Sequence, residues 1–252
     1  MLIRSNIYFL SDFHLGVPTR EKSLEREKRI VRFLNQIKDD AKEIYIMGDV
    51  FDFWFEYKTV VPKGYTRLLG TIAHLADSGI PIHLFTGNHD MWSFTYFQEE
   101  LGVKLYKEPI LKEIDGKKFF LGHGDGLGPG DKGYKLIKKI FANPFCQWLF
   151  ARLHPNFGIG LANYFSRKSR MANAEADEIF LGENEEWLIQ FCKEYLLKNP
   201  PVDYFIFGHR HLPLDISLDK GARYINLGEW VKYNSYAVFD GKNVELKYFE
   251  KE

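Results

Sequence analysis

Short apolar runs recur along the chain and alternate with stretches of helical periodicity. The runs are Ile7–Leu10, Ile44–Met47, Ile80–Phe85, Lys118–Leu121 and Tyr204–Phe207. Runs of this length, bounded by Gly, Asp and Asn, read as buried strands. Between them, Leu24, Ile30, Val31, Phe33, Leu34 and Ile37 form an apolar stripe on a charged background, the mark of an amphipathic helix. Tyr65, Leu68, Leu69, Ile72 and Leu75 form a second stripe, closed by Ser78-Gly79. The alternation predicts βαβ units and an α/β fold. Near the end the pattern changes. Leu214–Leu218, Ala222–Leu227, Tyr236–Phe239 and Val244–Phe249 read as successive strands, and Asp115-Gly116 and Asp240-Gly241 are two-residue hairpin signals. A mixed sheet follows, with antiparallel strands added to a βαβ core.

Residues 131–197 interrupt this pattern with mostly helical composition and no strand-like run. Phe141, Phe145, Trp148, Leu149 and Leu153 fall on one helical face, while Pro144, Pro155 and the Gly158/Gly160 pair break the helix into pieces. The expected organisation is a core of residues 1–130 and 198–252, with residues 131–197 as a helical insertion capping it. Neither an internal repeat nor a low-complexity segment is present.

The chain has 252 residues, 45% hydrophobic and 27% charged, which argues for an ordered globular protein and against disorder. Its two cysteines, Cys146 and Cys192, lie in apolar surroundings and form no disulfide framework or CxxC site, so two buried, reduced thiols are expected. The first residues lack the pattern of a signal peptide, and there is no apolar run of about 18 residues. A cytoplasmic protein is expected. Lys and Arg total 34, balanced by 34 Asp and Glu, so overall charge draws no polyanion and nucleic acid is not an expected partner. The balance is segregated, however. Lys132, Lys135, Lys138, Lys139, Arg152, Arg167, Lys168 and Arg170 share the insertion with eight aromatic residues and no acid between residues 132 and 170. A basic, aromatic cap suits an anionic amphiphile.

The five apolar runs all lead into residues that ligate. Ile7–Leu10 leads into Ser11-Asp12-Phe13-His14, and Ile44–Met47 into Gly48-Asp49-Val50-Phe51-Asp52. Ile80–Phe85 leads into Thr86-Gly87-Asn88-His89-Asp90. Phe119–Leu121 leads into Gly122-His123-Gly124-Asp125, and Tyr204–Phe207 into Gly208-His209-Arg210-His211. Sites in α/β sheets form beyond the carboxyl ends of strands, so five strands deliver Asp, Asn and His to one rim. Oxygen and imidazole donors of this kind suit Mn²⁺, Fe or Zn²⁺. Glycine before Asp49, Asn88, His123 and His209 leaves no Cβ in the way of a tight turn. Five of the eight histidines lie in these motifs. His74, His83 and His154 lie outside them, in a helix, a strand and the insertion.

The ordered set DxH, GDxxD, GNHD, GH and GHxH resembles the calcineurin-like metallophosphoesterases over roughly residues 5–230. The resemblance implies a four-layer α/β/β/α sandwich with a helical insertion and a centre of two divalent metals. Carried over by motif, Asp12, His14 and His211 would hold the first metal, Asn88, His123 and His209 the second, and Asp49 both. A two-metal centre clamps a phosphate oxygen and activates water for in-line attack. His89 would protonate the leaving oxygen or stabilise the transition state, and Asp90 or Asp52 would orient a histidine.

Ser11–Gly16, Gly48–Trp54 and His123-Gly124-Asp125, with the insertion that follows, look like the UDP-2,3-diacylglucosamine hydrolases of lipid A biosynthesis. That likeness implies cleavage of the pyrophosphate of UDP-2,3-diacylglucosamine to UMP and 2,3-diacylglucosamine 1-phosphate. It implies manganese as the metal and a cytoplasmic enzyme peripheral to the inner membrane. It also implies substrate contacts from Asn88, Asp131, Tyr134, Ser166, Arg167, Lys168, Arg170 and His209. Two features depart from that group. His89 stands where its best-known members carry Arg, and glycines fill the loop from Gly124 to Asp131. The alternative is a soluble metallophosphoesterase acting on a nucleotide or other small phosphodiester.

Overall fold

The structure is a computed structural model that describes residues 4–130, 132–177 and 179–250, without the side chains of 169–177. Two sheets face each other. The first has the order β11-β10-β1-β2-β3-β4. Its strands β1 (Asn6–Leu10), β2 (Ala41–Ile46), β3 (Ile82–Phe85) and β4 (Lys104–Tyr106) run parallel. On the other side of β1, β10 (Ser235–Phe239) and β11 (Val244–Tyr248) add antiparallel. The second sheet has the order β5-β6-β7-β9-β8. Here β6 (Lys117–Leu121), β7 (Tyr204–Phe207) and β9 (Arg223–Leu227) are parallel, while β5 (Ile110–Ile114) and β8 (Pro213–Ser217) are antiparallel edges.

Strand periodicity decides how the layers stack. Successive residues of a strand face opposite sides. In β1, Ile7 and Phe9 meet Phe119, Leu121, Tyr204 and Ile206 between the sheets. Tyr8 and Leu10 face the other way, against α1 (Arg20–Ile37), α2 (Thr66–Asp77) and α3 (Tyr96–Leu101). In the second sheet Phe120, Phe205, Phe207 and Tyr224 turn outward onto α7 (Trp187–Lys198). The result is the four-layer α/β/β/α sandwich. The antiparallel additions are present, but as parts of two mixed sheets rather than one. Strands β4 and β5 and helix α3 go beyond the periodicity of the sequence. They are short or half-exposed at edges, so their apolar signal is weak.

Three further helices lie between β6 and β7: α4 (Lys132–Ala142), α5 (Pro144–Phe150) and α6 (Pro155–Asp177). The break expected at Pro144 falls between α4 and α5, at Asn143. Its side chain caps α5 by accepting a bond from the Phe145 amide, and Pro144 opens the new helix. Helices α4 and α5 bury no residue. The span 131–197 also includes α7, whose Leu188, Ile189, Cys192 and Leu196 belong to the outer core of the second sheet. Both cysteines are free; Cys192 is buried as expected, whereas Cys146 on α5 is only partly so.

Candidate metal centre

The donor residues follow the ends of β1, β2, β3, β6 and β7. The loops that carry them are tightly constrained. Asp12, His14, Asp49, His209 and His211 all have positive φ, between 44° and 65°, a region costly for side chains other than glycine. Surrounding hydrogen bonds hold them there. Asp12 N donates to Gly48 O at 3.0 Å, His14 N to Asp49 O at 2.9 Å, and His209 N to Asp12 Oδ2 at 3.0 Å. Two glycines are required by close approach. A Cβ on Gly87 would collide with Asp49 Oδ1, and one on Gly208 with Ser11 Oγ and Asp12 Oδ2.

The predicted donors fall into two groups that share Asp49, and His14, Asp52 and His89 form a third cluster beside them. Asp12, His14, Asp49 and His211 each present a ligand atom within 4.8 Å of the others, and so do Asp49, His123 and His209. In the first group, His14 Nε2 and His211 Nε2 stand 3.0 Å apart, each 3.4 Å from Asp12 Oδ1. In the second, His123 Nε2 is 3.2 Å from Asn88 Oδ1 and 3.3 Å from Asp49 Oδ2. Asp12 Oδ1 and Asp49 Oδ2 are fully buried, yet neither accepts a well-formed hydrogen bond from the described residues. A buried carboxylate oxygen without a donor is costly unless a cation satisfies it. Tautomers agree. His123 Nδ1 lies 2.8 Å from Met47 O, which can only accept, so Nδ1 carries the proton and the Nε2 lone pair faces the gap. These residues fit divalent cations.

The electrostatics of the site also favour a cation. Burial opposes ionisation of Asp12, but the His14 and His211 imidazoles hold its carboxyl well below the usual range. Burial likewise opposes ionisation of Asp49, and His123 and His89 pull it far down. With no cation bound, burial works against a charged His123, but Asp49 outweighs it and pushes the imidazole up to about 10, so a cation at Nε2 would take the place of a proton there. Burial and then His123 push His209 down to about 4, keeping it a neutral donor.

The remaining predicted residues are distributed around this centre. His89 N donates to Asp49 Oδ1 at 2.9 Å, and His89 Nδ1 donates to Asp52 O at 2.8 Å. Buried Asp90 binds backbone rather than a histidine: its oxygens accept from Val50 N and Gly87 N, both at 2.7 Å, tying the Asp49 loop to the Asn88 loop. Burial and then the charge of Asp49 push its carboxyl up to about 7. Asp52 lies nearer the imidazoles, with Oδ1 3.8 Å from His14 Nδ1 and 4.0 Å from His89 Nδ1. From α6, Ser166 Oγ donates to Asp52 Oδ2 at 2.7 Å and sits 3.1 Å from His89 Nδ1. Tyr134 OH donates to Asp125 Oδ2 at 2.6 Å, and its ring centroid is 6.1 Å from that of His209. Arg167 and Lys168 are exposed. Asp131 and the side chain of Arg170 lie outside the described residues.

Sequence reasoning missed two groups. Asp125 was visible in its motif, but its partners Tyr134 and Lys138, the latter at 2.6 Å, lie a helical turn apart on α4. Arg210 stands between the two histidines and forms a buried pair with Glu186 at 2.9 Å. No local pattern links those two positions.

A fold of this kind, with phosphoesterase motifs at one rim, has a family. The calcineurin-like phosphoesterase family matches residues 5–213, and the chain belongs to it. The centre is therefore a site for divalent metal ions in a hydrolase family. A UDP-2,3-diacylglucosamine hydrolase of Porphyromonas gingivalis is 44% identical over 260 residues, covering 98% of this chain and 99% of that protein. A UDP-2,3-diacylglucosamine hydrolase of Aeromonas hydrophila is 28% identical over 91% of this chain and 92% of its own length. Among solved structures, the phosphoesterase Yfce of E. coli superposes with a TM-score of 0.45 at 15% identity, over 92% of this chain and 87% of that one.

Proposed function

We propose that this protein hydrolyses the pyrophosphate bond of UDP-2,3-diacylglucosamine, yielding UMP and 2,3-diacylglucosamine 1-phosphate, a step of lipid A biosynthesis. The observation that carries this is the 44% identity to the Porphyromonas gingivalis hydrolase along essentially the whole of both chains. The two donor groups sharing Asp49, placed beside a basic and apolar cap, support it.

The site is assigned two cations, with Mn²⁺ the proposed metal and Fe or Zn²⁺ also compatible with the donors. Asp12, His14 and His211 would hold one, Asn88, His123 and His209 the other, and Asp49 both. When bound, such cations supply Lewis-acid polarisation of a phosphoryl oxygen and a more acidic water. The protein's own groups do the rest. His89 has Nδ1 committed to the Asp52 carbonyl, so Nε2 is the nitrogen that serves the departing oxygen. Ser166 steadies Asp52 and His89 together. Asp90 is a positioning residue, holding the Asp49 and Asn88 loops in register through two backbone bonds. Asn88, His209, Tyr134, Ser166, Arg167, Lys168, Arg170 and Asp131 are the proposed substrate contacts.

On the cap, Leu136, Ile140, Phe145, Trp148, Phe157 and Phe165 are all exposed. Exposed apolar side chains among lysines and arginines suit acyl chains and an anionic surface, and support peripheral contact with the cytoplasmic face of the inner membrane. No helix among the described residues is long and apolar enough to cross a membrane. The cap proper is assigned to α4–α6, with α7 part of the core. The test is direct: the Mn²⁺-loaded protein should release UMP from UDP-2,3-diacylglucosamine. Brisk cleavage of a generic phosphodiester with no UMP from the lipid nucleotide would overturn the proposal.

A further inference from the structure

His209 and His211 belong to different donor groups, so the chain between them bears on how those groups stand to each other. That chain is one residue, Arg210. We propose that Arg210 is a positioning residue for both metal sites: clamped by Glu186, it holds His209 and His211 in their ligating orientations. The proposal rests on the metal assignment above and does not depend on the identity of the substrate.

The backbone shows why a clamp is needed. Arg210 N donates to Gly208 O and Leu212 N to Arg210 O, both at 2.7 Å. These are two successive three-residue turns, one centred on each histidine. Their central φ values are 65° and 57°. Three-residue turns with positive φ are the rarer, strained kind, and with a side chain as large as imidazole they persist only where the surroundings impose them. Arg210 is shared by both turns, so whatever fixes Arg210 acts on both histidines.

Its side chain is firmly held. Nε donates to Glu186 Oε2 at 2.9 Å and Nη2 to Glu186 Oε1 at 3.0 Å, a two-point fork that sets the plane of the guanidinium. Nη2 also donates at 2.6 Å to the carbonyl of Ile179, two residues beyond α6. The guanidinium carbon lies 5.9 Å from the centre of the Trp187 ring, and that ring stands edge-on to His209 at 6.3 Å. Glu186 is anchored in turn. Its N donates to Gly182 O at 3.2 Å, and its carbonyl accepts from Gln190 N at 3.0 Å in the first turn of α7. Leu188, Ile189, Cys192 and Leu196 seat α7 in the outer core. Contacts therefore run without a gap from a packed helix to two metal ligands. Arg210 and Glu186 are 3% and 1% exposed. Desolvating such a pair opposes folding, and two apolar side chains of similar volume would hold the fold about as well. What the fork adds, and an apolar pair lacks, is a fixed orientation.

The experiment titrates metal-free protein with Mn²⁺ by calorimetry and follows its urea unfolding. It compares wild type with R210M/E186L, which replaces the pair by apolar side chains, with R210K, which keeps the charge without the fork, and with E43Q, a destabilised control outside the metal centre. R210M/E186L is expected to keep the wild-type urea midpoint yet bind Mn²⁺ about tenfold more weakly at both sites, the scale of effect of residues that orient metal ligands. R210K should weaken binding as well, and E43Q should bind as wild type does. Wild-type affinity in either Arg210 variant would reduce the pair to a structural one and overturn the proposal. So would an affinity that follows the urea midpoint across these proteins, falling in E43Q too, and so would a loss confined to one of the two sites. A wild type that takes up no Mn²⁺ would overturn the metal assignment and this inference together. A wild type that binds Mn²⁺ but releases no UMP would overturn only the substrate reading, and the titrations would still decide the role of Arg210.

Discussion

Asp49 is the residue on which the centre depends. It belongs to both donor groups, it is fully buried, and its Oδ1 also accepts from His89 N. Asp49→Ala is expected to lose bound Mn²⁺, read by elemental analysis, and to lower turnover by about a thousandfold, the equivalent of roughly 4 kcal/mol of transition-state stabilisation. His89 makes a different prediction. It is outside the two groups assigned to metal, so His89→Ala should keep its metal and lose about two orders of magnitude in turnover. A variant with normal turnover would remove the catalytic role. The ligand positions were legible because each follows a buried strand, usually with an intervening glycine, so a local pattern contains the whole signal. The roles of Asp90 and Asp52 were not legible. Asp90 follows His89 directly in sequence, whereas Asp52 lies far from every histidine. Only the fold shows that Asp90 accepts two backbone amides while Asp52 lies by His14 and His89.

At the scale of elements, α7 shows how packing corrects composition. Its helical pattern continues that of the insertion, so sequence grouped them, yet its buried face completes the outer core. The edge strands β4 and β5 escaped for the opposite reason, since half-exposed strands carry little apolar periodicity. The start of α7 is also tied to the metal loop. Arg210, between His209 and His211, pairs with Glu186 at 2.9 and 3.0 Å, and both side chains are almost wholly buried. Removing Glu186 leaves the buried guanidinium of Arg210 without this counter-charge. Glu186→Ala should therefore destabilise the protein by about 3–5 kcal/mol, measured by urea unfolding. A change under about 1 kcal/mol would mean that water reaches Arg210.

For the whole molecule, the overall layering and the charge segregation were legible. The pairing of two sheets was not, because hydrophobic alternation does not say which strands become neighbours. The sheets are also joined by a polar contact at their edge. Glu43 of β2 accepts from Lys112 of β5 at 2.8 Å and lies 3.1 Å from His83 Nε2. His83, Lys112 and Tyr45 together hold its carboxyl far below its usual 4.5, against its burial. A depressed folded-state pKa contributes stability that is complete above about 4.5 and is lost as pH falls below it. Glu43→Gln should thus be less stable than wild type at pH 7, and the gap should narrow by pH 4 in denaturant titrations. A gap independent of pH would refute the linkage.

The place of β1 within its sheet has a consequence for how the protein is made. β1 is first in the chain, yet its two neighbours are β2 and β10, and β10 begins at Ser235. During synthesis β1 therefore keeps one bare edge until Ser235–Phe239 has emerged. The first metal group is just as late, since His14 needs His211. Until then an apolar strand with an unpaired edge must be shielded, and a truncated product is expected to aggregate rather than to work in part.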